Sequence, residues 1–201
     1  MNRFKQLLLE SLEVPVKKVR PTKTVKAYKL FNMKGGKLYP LYVFAKKPLP
    51  MKQWIEAEEG EKDANGKVKS GIGGLAYRPG YHACEFPIAL HIGGKTSASL
   101  KKPNYRKDNQ VWAEVEFDAS VDYSKEIEAS KKKCITDRVP VNGVYYFQTN
   151  PNAVCRWLIG GTMRINKILS DEEVKQINGK VGLADLPRLS ELEAEQTEDQ
   201  E

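Results

Sequence analysis

The chain has 201 residues, a formal net charge of +7 and a hydrophobic fraction of 40%. These values are typical of one globular domain, and the apolar runs are far shorter than the roughly 20 residues that a membrane-spanning helix needs. The 3 cysteines are scattered, and no N-x-S/T acceptor occurs. A secreted, disulfide-rich fold is therefore not expected, and we expect a cytoplasmic protein with no membrane partner.

The basic excess of the chain is unevenly distributed. Residues 190–201 contain 6 acidic residues and no basic one, which predicts a disordered acidic tail. Basic residues cluster at 1–30, 95–107 and 131–133. Such clusters can follow a phosphate backbone through counterion release, so an anionic ligand or a nucleic acid is one expected partner. A plain solvated surface is the alternative.

The first third of the chain predicts a helix, a linker and a hairpin. Apolar residues recur at helical spacing near the start, so 1–23 is predicted as an amphipathic helix followed by a basic linker. Two strands, 24–33 and 37–45, are predicted around a Gly-Gly turn, with Pro40 making the second an edge strand.

The next segment carries weaker signals. Pro50 predicts the start of a single helical turn that places three apolar residues on one face: Met51, Trp54 and Ile55. Residues 58–74 are rich in glycine and have no hydrophobic period, which predicts a long binding loop or lid.

The middle of the chain predicts alternating short elements. A strand is expected at Tyr81–Cys84, and Pro87 is expected to open a helix to about Ile92. Residues 110–118 alternate apolar and polar side chains as a half-buried strand does. Asp122 is expected to cap a polar helix that runs to about Lys133.

The last third contains the most definite local patterns. A strand follows the Asn142-Gly143 turn, and 153–159 with 162–169 are predicted to form a hairpin. Ser170 and Glu173 form a capping box, which predicts a helix that ends at Asn178-Gly179.

These elements together predict the fold class and the domains. We expect an α+β fold with a mainly antiparallel mixed sheet of about seven short strands and short N- and C-terminal helices. Residues 24–189 are predicted to form a single domain between the N-terminal helix and the acidic tail.

Both histidines of the chain lie in one short window, as His82 and His91. Histidine titrates near neutrality, so one hypothesis is acid–base chemistry at a phosphate or ribose. In that hypothesis, His82 acts as base or acid with Glu85 or His91 as its partner, and Tyr81 lies beside it. Arg78 is expected to hold a phosphate, and Lys95 flanks the window as a further candidate for binding a cofactor.

Two alternatives remain open for this window. His82, Cys84 and His91 could ligate a metal, but their spacing does not match the usual zinc pairs and a fourth ligand is missing, so no metal is assigned. The other alternative is structural: a turn and a helix cap with partly buried imidazole rings.

The segment GYHACEFPIAL resembles a Gly-aromatic-His-Ala-Cys-Glu-x-Pro motif of uncharacterised phage domains. Together with QVWAEVEF, GVYYFQTNP, WLIGGTMRIN and LSDEEV, it resembles domains of phage and mobile-element polyvalent proteins over about 26–188. This resemblance implies an accessory protein that works in the cytoplasm of a bacterial host, and it implies no settled activity.

The order of strands is also loosely similar to the ADP-ribosyltransferase fold. That similarity implies NAD as a possible cofactor, with Tyr81 or His82 at the nicotinamide ribose and Tyr39 or Arg78 near the cofactor. The fold usually places a catalytic glutamate near its last strands, whereas 153–169 contain no acidic residue.

Three classes of function therefore remain open. The chain could be an enzyme acting on NAD or nucleic acid at Arg78–His91. It could be a binding module that engages nucleic acid or a host protein. It could also be an accessory domain that oligomerises through a strand edge such as 37–45.

Overall fold

The computed structural model describes residues 21–70, 73–88, 105–130, 138–148 and 155–198. Over these ranges the fold is α+β, as predicted, with a mixed and mostly antiparallel open sheet of nine strands and three short helices. The predicted N-terminal helix and most of the predicted linker lie outside the described residues.

The sheet is built from strands of very different length. The strands are β1 Thr24–Lys34, β2 Lys37–Tyr39, β3 Trp54–Glu56, β4 Tyr81–Cys84, β5 Gln110–Asp118, β6 Val121–Asp122, β7 Gly143–Phe147, β8 Trp157–Gly160 and β9 Thr162–Ile168. The helices are α1 Ser124–Ala129, α2 Asp171–Gly179 and α3 Leu189–Glu198.

The strand order divides the sheet into two halves. The order is β3-β9-β5-β1-β4-β8-β7-β6, with β2 paired to β1. The two halves meet between β1 and β4, which share a single residue pair, Tyr28 with Cys84. Among the strand pairs of the described residues, β6 with β7 is the one parallel pair. The junction of the halves is therefore the place where the strands of the sheet diverge.

One edge of β1 has a gap. Strand β5 pairs with β1 from Thr24 to Asn32 on one side. On the other side, β4 pairs at Tyr28 and β2 pairs from Asn32 onward. Within the described ranges, residues 29–31 consequently pair with no strand on that side, which leaves space within the sheet.

A single core joins the two halves. Buried residues of β1, β5 and β9 pack together with Ala83, Val144 and Leu158 from the other half. Strand β5 alternates as predicted, because one set of its side chains belongs to this core: Val111, Ala113, Val115 and Phe117. Trp112 points to the opposite face and packs with Leu169 and Val174.

Several local predictions are confirmed. Strand β4 occupies Tyr81–Cys84 and β5 occupies Gln110–Asp118. Helix α2 begins after Ser170, whose side chain and that of Glu173 form the predicted capping box, and it ends at Gly179.

The predicted hairpin of 153–159 with 162–169 is wrong. Strand β8 pairs with β4 and β7, whereas β9 pairs with β3 and β5. Only Gly161 separates β8 from β9, so the chain passes directly from one half of the sheet to the other. The two strands are consecutive without being neighbours because Gly160 and Gly161 let the backbone pass close to Phe117 and Pro140.

Two predictions in the first third are also corrected. The helical turn predicted after Pro50 does not form, because Lys52 has a φ of +61°, which a right-handed helix excludes. Trp54–Glu56 form strand β3 instead. The strand predicted at 37–45 ends at Tyr39, because Pro40 has no N–H to donate.

The acidic tail is not disordered over its described residues. Leu189–Glu198 form helix α3, while 199–201 lie outside the described residues. Arg188 donates hydrogen bonds to Asp171 and to the Asp108 backbone oxygen. Ser190 donates to the Asp108 carboxylate, so charged contacts with the body of the domain hold the start of the helix.

Other predicted helices are shorter or fall outside the described residues. Helix α1 begins at Ser124 and ends at Ala129, and the Asp122 side chain accepts a hydrogen bond from the Ser124 N–H. Pro87 and Ile88 are not helical, and the rest of the helix predicted to Ile92 is not described. None of the helices described here has the length and hydropathy needed to cross a membrane.

Candidate functional site

A cavity of about 850 Å³ lies at the junction of the two halves. Residues 28–30 of β1 and all of β4 line it, so it occupies the space where these strands diverge. The segments 40–44 and 54–58 form further walls. Its volume lies within the range of small-molecule sites.

Aromatic side chains form a large part of the lining of this cavity. They come from both halves of the sheet and from the loops, and comprise Tyr28, Tyr42, Phe44, Trp54, Tyr77, Tyr81, Trp112, Phe147 and Trp157. Flat apolar faces of this kind favour a ligand that contains a ring.

His82 lies in β4 and lines the cavity. Its Nε2 lies 2.8 Å from the Arg78 backbone oxygen, and because a carbonyl only accepts, Nε2–H is the donor. Burial, followed by the nearby charge of Lys29, lowers the pKa of His82 to about 4. At neutral pH the ring is therefore neutral, and its Nδ1 is the acceptor nitrogen.

Lys29 brings a second polar group to the same place. Its Nζ donates a hydrogen bond of 2.7 Å to the His82 backbone oxygen, and so spans the gap beside β1. Burial lowers the pKa of Lys29 to about 8. Among the described residues no carboxylate lies within ion-pair distance of this ammonium group.

Arg78 is the second cation of the cavity. Its guanidinium lies 5.1 Å from the centre of the Phe147 ring, and Phe147 stacks with Trp157 at 6.5 Å. Trp157 in turn meets the His82 ring edge-on at 6.2 Å. Arg78 also forms no ion pair with any described residue, so its charge is available to an anion.

Tyr81 lines the cavity with its hydroxyl protonated. The hydroxyl donates to the Glu56 backbone oxygen at 3.1 Å. Burial, followed by the charge of Glu58, raises the pKa of Tyr81 to about 12. Tyr81 is therefore a hydrogen-bond donor and not a base at neutral pH.

The acidic side chains of the lining, Glu56 and Glu58, are exposed at the cavity rim. Glu58 forms an ion pair with Lys47, which neutralises both charges. Since Lys29 and Arg78 are only partly exposed, the inner part of the cavity carries positive charge.

Two expected site residues lie away from the cavity lining. The Glu85 carboxylate accepts hydrogen bonds from the Arg156 backbone N–H at 3.0 Å and from the Arg156 Nε at 3.1 Å. The Arg156 guanidinium lies 4.2 Å from the centre of the Tyr146 ring. Hydrogen bonds from Arg156 outweigh the effect of burial and lower the pKa of Glu85. Tyr39 ends β2 opposite Asn32 and does not line the cavity.

Arg78, Tyr81 and His82 are thus the expected site residues that the structure brings together. His91 and Lys95 lie outside the described residues, so the proposed pairing of His82 with His91 stays a prediction. Within the described ranges, no group of three or more potential ligand residues is placed to hold a metal ion.

Among the described residues of the basic clusters, Lys23, Lys26 and Lys107 are exposed, whereas Arg106 is buried. Arg106 is only 2% exposed and binds Asp171 at 2.7 Å. Lys26 lies 3.5 Å from Glu114. The residues at 1–20 and 131–133, like most of 95–107, lie outside the described residues.

Sequence patterns did not identify Lys29 or Trp112 as site residues. In the sequence, Lys29 is one of the bases of the 1–30 cluster, whereas in the structure it shares the core-facing register of β1 with Ala27 and Phe31. A lone lysine at an apolar position of an alternating strand was the available signal. Trp112 resembled an ordinary strand tryptophan, and nothing in the local pattern distinguished it.

Comparison of the chain with protein-family models, with curated proteins and with solved structures finds no match in any of the three.

Proposed function

We propose that the cavity binds a nucleotide, with its phosphate at Lys29 and Arg78 and its rings against the aromatic lining. The single observation that carries this proposal is that one cavity with many aromatic residues is lined by two cations, Lys29 and Arg78, that form no ion pair with any described residue. The bacteriophage or mobile-element setting and the choice of NAD rest on the sequence resemblances alone, and belong to the same proposal.

The chemistry of the two cations supports a phosphate ligand. A guanidinium presents several donors in one plane and binds phosphate oxygens in pairs, whereas an ammonium group acts as a compact charge. Both are partly removed from water here, which strengthens their attraction for an anion. Tyr81 precedes His82 in β4, so its side chain lies on the opposite face of that strand and adds an aromatic surface there.

The state of His82 favours binding over proton transfer. A general base works best when its pKa is close to the working pH, and the pKa of His82 is about 4. The ring is held by its bond to the Arg78 oxygen, so it positions that segment and offers Nδ1 as an acceptor to a ligand hydroxyl. A His-dependent transfer reaction at this place would need the ligand to raise that pKa.

The proposal is tested by titrating the full chain with NAD⁺, ADP-ribose and AMP in a calorimeter. Arg78→Gln should weaken the binding of each ligand by about 10-fold, since a hydrogen bond to a charged group contributes about 1.5 kcal/mol or more. Arg138→Gln is the matched control, because Arg138 also stacks on an aromatic ring, that of Tyr123, away from the cavity. Absence of binding by all three ligands would reject a nucleotide site.

A further inference from the structure

Lys29 is a lysine in an apolar setting, at the gap between β1 and β4. It shares the core-facing register of β1 with Ala27 and Phe31, and Ala113 lies opposite it in β5. The residue is nevertheless partly exposed and lines the cavity. Lysine is rarely withdrawn from water unless it is paired, so a lysine at this position is a candidate functional residue.

The amine of Lys29 is held at the gap by the hydrogen bond of 2.7 Å from its Nζ to the His82 backbone oxygen. Both residues line the cavity, so Nζ bridges the two strands in the space that the cavity fills. No carboxylate of a described residue lies within ion-pair distance of it. A neutral amine can keep the bond to His82 with one N–H and attack a ligand with its lone pair.

Burial makes the reactive form of this amine more abundant. It lowers the pKa of Lys29 to about 8, which outweighs the opposite effect of the Cys84 thiol. With that pKa, roughly a tenth of the side chain is neutral amine at pH 7, against roughly 0.03% for a lysine with the usual pKa of 10.5. The neutral amine is the form that attacks a carbonyl carbon, and removal from water is a known way to activate a lysine for this chemistry.

The rest of the lining indicates which carbonyl compound fits. Its aromatic faces favour a ligand with a ring. Arg78 lies 5.1 Å from the centre of the Phe147 ring and forms no ion pair with a described residue, so it can bind a phosphate. Lys47, the other described lysine of the lining, is exposed and paired with Glu58, and its amine is not activated in this way.

We propose that Lys29 is a nucleophile that forms an imine with an aldehyde in the cavity, one that carries an aromatic ring and a phosphate. The inference goes beyond the proposed function, because it needs no nucleotide: Arg78 binds the phosphate and leaves Lys29 to react. Nζ bonds to the carbonyl carbon while one amine hydrogen moves to the carbonyl oxygen. The second amine hydrogen then leaves with that oxygen as water, and the C=N bond forms.

The test is reductive trapping on the full chain with pyridoxal 5′-phosphate, whose ring, aldehyde and phosphate match this class. A limiting amount is added at pH 7, borohydride reduces the imine to a stable amine, and peptide mass spectrometry identifies the labelled lysines. Lys26 is the internal reference, since it lies on the same strand but is exposed, and the charge of Tyr28 raises its pKa. Lys29 should be labelled about 10-fold faster than Lys26, because more of it is neutral amine.

Variants assign the roles of the two cations. Lys29→Arg keeps the positive charge and removes the reactive amine, so the fast phase of imine formation, followed by absorbance, should be lost. Lys26→Arg is the matched control and should leave that phase unchanged. Arg78→Gln should raise the concentration of pyridoxal 5′-phosphate needed for half-maximal labelling by about 10-fold. It should not affect labelling by pyridoxal, which has no phosphate.

The peptide map of the wild-type chain decides the matter even if Lys29→Arg does not fold. If Lys29 is labelled no faster than Lys26, its amine is not activated and the inference is wrong. If Arg78→Gln weakens labelling by pyridoxal and by its phosphate equally, Arg78 does not bind the phosphate and that part of the proposal falls. Nucleotide binding without labelling of Lys29 rejects the imine alone, whereas labelling without nucleotide binding rejects the nucleotide site alone.

Discussion

The interaction of Lys29 with His82 shows how one side chain can replace part of a strand ladder. Beyond Tyr28 and Cys84 the strands β1 and β4 no longer pair, and the backbone oxygen of His82 would lack a donor there. The Lys29 ammonium supplies one at 2.7 Å. An unpaired buried carbonyl is costly, so the lysine stabilises an open gap in the sheet while keeping a positive charge beside it.

His82 makes the stability of the fold depend on pH. Folding lowers its pKa from 6.5 to about 4, so below about pH 6.5 the unfolded chain binds a proton that the folded chain does not. The contribution of the buried neutral ring to the free energy of unfolding is therefore fully present above pH 6.5. It is lost as the pH falls toward 4. The loss approaches about 1.4 kcal/mol per pH unit within that window.

We therefore expect His82→Gln to flatten the acid side of the stability curve between pH 6.5 and 4. Glutamine can still donate to the Arg78 oxygen, so the local hydrogen bond is kept. The measurement is urea unfolding at several pH values, with both proteins carrying His91→Gln so that His82 is the only histidine compared. Parallel curves for the two proteins would show that His82 titrates normally in the folded state.

Helix α3 illustrates how a charged segment becomes ordered through its contacts. Arg106 is buried and bonds to Asp171 at 2.7 Å, and Arg188 bonds to the same carboxylate at 2.9 Å. Burial raises the pKa of Asp171, but hydrogen bonds from Arg188 and Arg106 outweigh it, and the pKa lies below its usual value. One aspartate thus connects the start of α2 to the segment that leads into α3.

Asp171→Asn should destabilise the domain by about 3 kcal/mol, because it leaves the buried Arg106 with Asp185 as its one remaining carboxylate partner among the described residues. Asp185 lies 3.7 Å from that guanidinium. Glu172→Gln is the matched control, since it also removes one negative charge from the first turn of α2 and should change stability by less than about 0.5 kcal/mol. Equal effects of the two changes in chemical denaturation would attribute the loss to the helix dipole instead.

Elements with a complete local signal could be predicted from the sequence. Strand β5 has its own alternation, and α2 has its own cap, so neither depends on distant residues. Helix α3 has no such signal, because its acidic residues predict disorder until Arg106 and Arg188 are brought together by the fold. The strands that pair with β8 and β9 also have no local signal, because they depend on which half of the sheet each of these two strands enters.

The same distinction holds for the candidate site at the scale of the whole molecule. Arg78, Tyr81 and His82 are neighbours in sequence, so a single segment could suggest them. Lys29 and Trp112 reach the cavity from β1 and β5, which belong to the other half of the sheet from β4. Their role follows from the divergence of β1 and β4, which no local pattern encodes.

The passage of the chain through Gly161 holds the two halves in this arrangement. The Gly161 N–H donates to the Gly143 oxygen in one half, and its own oxygen accepts from the Ala57 N–H beside the other. A Cβ at Gly161 would overlap the backbone oxygen of Pro140, whereas a Cβ at Gly179 meets nothing within 4 Å. The first position therefore has no room for a side chain, and the second has.

We expect Gly161→Ala to destabilise the fold by more than about 2 kcal/mol, because the overlap is with backbone at Pro140, which must move to relieve it. It should also weaken nucleotide binding, since the cavity depends on how the halves meet. Gly179→Ala, at the end of α2, should instead stabilise by up to about 1 kcal/mol through the helix propensity of alanine. The comparison is made by thermal and urea unfolding. A Gly161→Ala protein as stable as the wild type would mean that the two halves can shift past each other freely, and that the strand crossing does not fix the shape of the cavity.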